Sequence, residues 1–208
     1  TGYFSSTTIH CDSCLQNEHR NGAVTYAHQM LAAAIIHPDV REVIPLMPEP
    51  MVKQDGTKNN DCERHAAKRV ITTLRQDHPH LQCIMTEDAL SSNAPHIETL
   101  HDYGCHDLLG VKEGDHAYVC KPVQAAEEAG RITADERHDR AAGLVHQFRF
   151  VNDMPRNGSR ADVRVNFIEY WEMGQDQVQH FRWVTDLWVN KRNVYKLMRG
   201  GRARWKIE

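Results

Sequence analysis

Three groups of side chains in this 208-residue chain have the type and spacing that chemistry needs. Arg204 and Glu208 close the stretch Arg204-Trp205-Lys206-Ile207-Glu208 and stand four apart, so on a helix they share one face. Such a pair forms a solvated salt bridge, or it sets a carboxylate beside a guanidinium fork suited to oxyanions. Asp88 follows the apolar run Leu81-Gln82-Cys83-Ile84-Met85. An Asp just past a strand caps a turn, or it offers oxygen to a hard cation such as Mg²⁺ or Mn²⁺. Cys11 and Cys14 form a Cys-x-x-Cys step, with His19 five residues beyond Cys14 and Cys62 later. That step is half of a tetrahedral zinc site. The second half is missing at standard spacing, which leaves reduced, partly buried thiols as the alternative.

The string Arg-Trp-x-Ile-Glu resembles the third-carboxylate motif of bacterial insertion-sequence transposases of the DDE class. Glu87-Asp88-Ala89-Leu90-Ser91-Ser92-Asn93-Ala94-Pro95 looks like that family's second-carboxylate motif. The opening Thr1-Gly2-Tyr3-Phe4-Ser5-Ser6, continuing to Ile9-His10-Cys11, is similar to the residues just after its first catalytic Asp. The motifs stand in the family's order and span nearly the whole chain. The resemblance implies a first Asp upstream of Thr1, and a fragment cut at both ends that is inactive alone.

It further implies an RNase H-like fold that cleaves phosphodiester bonds at element ends and transfers strands. Asp88 and Glu208 would be the catalytic metal ligands, holding two Mg²⁺ (or Mn²⁺) ions about 3.5–4 Å apart. Arg204 would contact a DNA phosphate or orient Glu208. The implied partners are transposon ends, target DNA and a second copy of the chain in a synaptic homodimer. The implied location is the bacterial cytoplasm, at the nucleoid when DNA is bound. One departure stands out: Gly201 occupies the place where many relatives carry a Tyr three residues before the Arg.

Composition narrows the field. Net charge is −3, which argues against a wholly basic nucleic-acid-binding domain. The distribution is uneven: residues 1–140 hold 13 Lys/Arg against 21 Asp/Glu, whereas 141–208 hold 12 against 7. From Lys191 onward seven basic residues, among them Arg199, Arg202, Arg204 and Lys206, face one acid. This is either a phosphate-neutralising patch or a solvated helix face. Trp183 and Trp188 could stack on an extruded base, or simply pack in a strand. No apolar run approaches the ~18 residues of a membrane span, and there is no export signal at the N-terminus. Six cysteines without a secretory signal suggest a reducing compartment. The competing functional reading is a non-catalytic DNA- or zinc-binding module derived from a transposase.

The elements that must position these residues follow from periodicity. Tyr3–Cys11 is extended, and the Pro-bounded runs Met30–Ile36 and Val40–Met47 favour strands over helix. Asp61–Leu74 predicts a helix, with Ala66, Ala67, Val70, Ile71 and Leu74 at helical spacing. Leu81–Thr86 is a short strand, Asn93-Ala94-Pro95 opens a helix to about Tyr103, and Leu108–Val111 is another strand. Gln124–Ala142 is polar and reads as helix or loop. Leu144–Asn152, Asp162–Met173 and Val178–Val189 alternate as an antiparallel β insertion, with Gly174 at a turn. A last helix starts near Asn190 or Asn193. The expected division is a core over 1–115, a β-rich insertion over 116–189 and a final core helix over 190–208. Together these make an α/β class with a mixed sheet and flanking helices.

Overall fold

The computed structural model describes residues 2–52, 63–88, 94–112, 117–157 and 160–207. It is mixed α/β, and it divides into two compact units, Thr1–Ile36 with Glu42–Leu81, and His37–Arg41 with Gln82–Glu208. The division falls at 81/82, within the range 1–115 read from sequence as one block.

In the first unit, β1 (Gly2–Ser6), β2 (Leu15–Glu18), β3 (Val24–Leu31) and β6 (Glu49–Met51) form an antiparallel sheet centred on β3. Helix α1 (Glu63–Asp77) buries Ala66, Ala67, Val70, Ile71 and Leu74, the same residues that repeat at helical spacing. Its expected start at Asp61 lies outside the described residues. Ala66 packs with Leu15, Ala27 and Met51, a small core. Strands β4 (Ala34–His37) and β5 (Val40–Pro45) make a separate two-stranded ladder.

The second unit is built on six strands in the order β7-β8-β12-β11-β10-β9. β7 (Ile84–Glu87) and β8 (His106–Gly110) run parallel, joined through α2 (Ala94–Asp102). A helix between parallel neighbours is what such a crossover requires. After α3 (Ala117–Glu128) come β9 (Thr133–Asp139), β10 (Leu144–Asn157), β11 (Arg160–Met173) and β12 (Val178–Thr185), each antiparallel to its neighbour. The three alternating runs are therefore strands, and the Gly174 turn is closed by its amide donating to the Gln177 carbonyl at 2.9 Å. They do not form a separate layer, because β12 pairs directly with β8 and extends the same sheet. Strand β9 replaces part of the stretch read as helix or loop. Its residues alternate between half-buried and exposed along the sheet's open edge, where charged side chains stay solvated.

One face of this sheet is covered by α4 (Val194–Ala203). Phe148, Phe150, Ile168, Tyr170 and Trp183 meet Val194, Leu197 and Met198 in the main core. Each fully buried large side chain of this kind contributes roughly 1.5–3 kcal/mol. The two glycines of α4 differ sharply. A Cβ on Gly200 would meet Leu108 Cδ2 at 3.6 Å, an ordinary contact, whereas one on Gly201 would lie 2.5 Å from Trp183 Nε1. Gly200→Ala is therefore expected to stabilise by about 0.5–1 kcal/mol through helix propensity. Gly201→Ala should destabilise, because overpacking of ~1–3 kcal/mol outweighs that gain. Urea denaturation of the two variants checks the opposite signs.

Candidate functional site

Parallel strands end at the same edge of a sheet, and ligands of open α/β sheets sit beyond the carboxyl ends of the strands. Here β7 ends at Glu87 and Asp88, and β8 ends at Gly110, Val111 and Lys112. All five residues line one cavity of about 720 Å³, within the range of ordinary ligand sites. Its other walls are His180 to Trp183 of β12 and Gly201, Arg204 and Trp205 at the end of α4. Asp88 and Arg204, far apart in sequence, therefore share this cavity. Glu208 lies outside the described residues.

The charges around the cavity are held in place. Glu87 Oε1 is 2.9 Å from Nε2 of the buried His96. Arg182 Nε donates to Glu169 Oε1 at 2.8 Å, and His180 Nε2 is 3.0 Å from the same oxygen. Arg149 reaches the other Glu169 oxygen at 3.9 Å. Glu169 is a buried carboxylate, and these basic side chains offset its desolvation. Arg204 lies over the Trp205 ring at 5.2 Å, and Trp205 meets Phe181 edge-on at 6.0 Å.

The basic residues read as a phosphate patch have other engagements. Arg199 pairs with Asp39, and the guanidinium holds that carboxyl below its usual range. Arg202 pairs with Glu172, donates to Gln179 Oε1 at 3.2 Å, and lies over the Phe181 ring at 5.1 Å. Lys206 Nζ donates to the carbonyls of His37, Pro38 and Val40 at 2.7, 3.1 and 2.7 Å. Trp183 is 5% exposed and packs in the core, so its ring faces are not offered to a base. Trp188, by contrast, is 64% exposed.

The zinc-type residues rearrange as well. Cys11 and Cys14 converge with His28, not His19, whose Nε2 is instead 2.7 Å from Thr25 Oγ1. Cys62 lies outside the described residues.

A further cluster had no signal in the sequence. Asp107, fully buried at the start of β8, has Oδ1 2.9 Å from His101 Nε2, and its Oδ2 has no hydrogen-bond partner among the described residues. Its amide donates to Asp186 Oδ1 at 3.0 Å, and Asp186 Oδ2 is 2.6 Å from His106 Nδ1. Burial pushes the Asp107 carboxyl above its ordinary value, more strongly than the His101 contact lowers it. That contact in turn raises the His101 imidazole, against its own partial desolvation. Both shifts mean that the folded state holds protons more tightly than the unfolded one. Their stabilisation is complete below the unfolded values, 3.8 for Asp107 and 6.5 for His101, and is lost as pH rises through the raised folded values. Stability is thus expected to fall as pH climbs above about 6.5, and His101→Gln should remove that part of the slope. Denaturant titrations between mildly acidic and mildly alkaline pH check it.

Comparison with known proteins finds no family model that matches the chain and no curated protein that matches it. Among the described residues no helix is long and apolar enough to cross a membrane.

Proposed function

We propose that this chain is the catalytic part of a DDE-class DNA transposase with an RNase H-like core. Its activity would be metal-dependent cleavage of phosphodiester bonds at element ends, followed by strand transfer into target DNA. The observation that carries the reading is the shared cavity: Asp88, at the carboxyl end of a parallel strand, opens onto the same space as Arg204. Those two residues come from the two segments whose sequences resemble the family's second and third motifs.

The donor type supports Mg²⁺ or Mn²⁺, since Asp88 lines the cavity and a carboxylate is the ligand hard cations prefer. A metal pair held there would supply charge stabilisation at the phosphate. The protein's own work is positional. Asp88 and Glu208 would hold the ions. Arg204 would bind a phosphate oxygen through its planar fork, with the Trp205 ring centre 5.2 Å from its guanidinium carbon. DNA ends and target are the partners in this reading, the working form is a synaptic homodimer, and the setting is the bacterial cytoplasm.

A second reading, a non-catalytic zinc- or DNA-binding module, draws on the Cys11, Cys14 and His28 cluster. The test is cleavage and joining of end-containing DNA by the full open reading frame, with Mg²⁺, with Mn²⁺ and with chelator. Metal-dependent nicking at the ends supports the enzyme; binding without cleavage under every metal condition supports the module.

A further inference from the structure

The β2–β3 pairing aligns Leu15 with Ala27 and Gln16 with Tyr26. Continued by one residue, that register sets Cys14 opposite His28. Just ahead of β2, the chain makes a tight turn in which the Cys14 amide donates to the Cys11 carbonyl at 3.1 Å. The turn brings the two thiols together: Cys11 Sγ and Cys14 Sγ lie 3.6 Å apart. His28 Nε2 is 3.5 Å from the first and 3.3 Å from the second. The Cys11 amide also points at Cys14 Sγ, at 3.2 Å.

These three separations have a specific meaning. Zinc bound at ~2.3 Å by sulfur and ~2.0–2.1 Å by imidazole nitrogen, with tetrahedral angles, spaces its donors about 3.8 Å (S to S) and about 3.6 Å (S to N). The observed triangle matches those edges within a few tenths of an ångström. A disulfide would need sulfurs at ~2.05 Å. The pair Cys83 and Cys105 is also 3.6 Å apart, but among the described residues no third donor joins it. The match is therefore a property of the triad and not of neighbouring thiols in general.

We infer that Cys11, Cys14 and His28 bind Zn²⁺ and tie the turn before β2 to the central strand β3 of the first unit. Need and geometry agree. The sheet core of that unit is small, and β1 is exposed along most of its length. Small cores are commonly stapled by a structural metal, whose binding free energy becomes folding free energy. This inference does not depend on the transposase reading, because the triad lies outside the cavity that holds Asp88 and Arg204.

The experiment is metal analysis of protein purified under reducing conditions, followed by Co²⁺ replacement. The expected result is zinc equimolar with the chain. With Co²⁺, intense thiolate-to-metal absorption in the near ultraviolet and strong visible bands of tetrahedral cobalt should appear. Cys11→Ser and His28→Gln should each lose the metal and the cobalt spectrum, while His19→Ala keeps both. Chelator should lower the melting temperature of the parent and of His19→Ala, but leave His28→Gln unchanged. Circular dichroism confirms that a variant is folded before its metal content is read. Folded, reduced parent protein that takes up no zinc overturns the inference, as does equimolar zinc retained in His28→Gln.

Discussion

Asp88→Asn is expected to abolish metal-dependent cleavage of end-containing DNA by the full-length protein while leaving DNA binding largely intact. The substitution keeps size and shape but removes the anionic oxygen that a hard cation needs. Metal stabilisation of the transition state is worth several kcal/mol. At about 1.4 kcal/mol per tenfold in rate, the loss should be on the order of 10²–10⁴. Glu87→Gln is the informative control. Glu87 lines the same cavity but is already committed to His96, and a glutamine carbonyl can still accept that hydrogen bond. Its expected loss is less than about tenfold, the size of a lost neutral contact. Full cleavage activity in Asp88→Asn would return Asp88 to the role of a turn cap.

The same cavity separates Arg204 from the other basic residues of the C-terminal stretch. On the proposed reading, Arg204→Ala should weaken DNA binding and reduce the salt slope by roughly the one phosphate it would contact. Arg199, Arg202 and Lys206 do not line that cavity and are held by Asp39, Glu172 and the carbonyls of residues 37, 38 and 40. Their alanine variants should therefore act more on stability than on the salt slope. Glu172 would be hit hardest, because it also accepts from the buried Tyr170 hydroxyl at 2.8 Å. Losing Arg202 would leave a largely buried carboxylate without its cation.

What could be read from the chain alone was local. The α1 face, the three alternating runs and the strand ahead of Asp88 each rest on a repeat of two or 3.6 residues within a short window. What escaped depends on residues meeting across long separations. His28 joins Cys14 because the β2–β3 register puts them opposite each other, a relation that no Cys-x-x-Cys spacing carries. His19 lay at a plausible interval, yet its ring turns to Thr25. Asp107 reads as an ordinary polar residue until β12 covers it. Strand β9 hid for a different reason: an edge strand pairs on one side only, so it tolerates charges that look like a solvated helix or loop. The basic stretch after Lys191 was legible as charge but not as commitment, because Asp39 and Glu172 are supplied from elsewhere in the fold.

Gly201→Tyr, which installs the residue that the resembled motif carries, is expected to be strongly destabilising in this chain. Even a methyl group at this position would overlap Trp183, with Nε1 at 2.5 Å and Cε2 at 2.6 Å. A phenol has no room unless the indole leaves, and Trp183 is held among Tyr170, Phe181 and the α4 core. The cost should be at or beyond the ~3 kcal/mol upper end of ordinary overpacking. In a chain of this size that lowers the melting temperature by roughly 6–12 °C. Trp183→Ala alone should also cost about 3–5 kcal/mol, through lost burial and the cavity left behind. The two changes meet in the same space, so they should not add. In the double variant the tyrosine fills part of the vacated volume, and the combined loss should fall short of the sum by more than about 1 kcal/mol. Thermal and urea denaturation of the four proteins gives that coupling directly. Additive losses would mean that Gly201 and Trp183 do not compete for one site, and the close approach of α4 to β12 would then need another cause. A negative coupling would instead mean that the space a tyrosine needs on the helix is already filled, in this chain, by the indole of the strand beneath it.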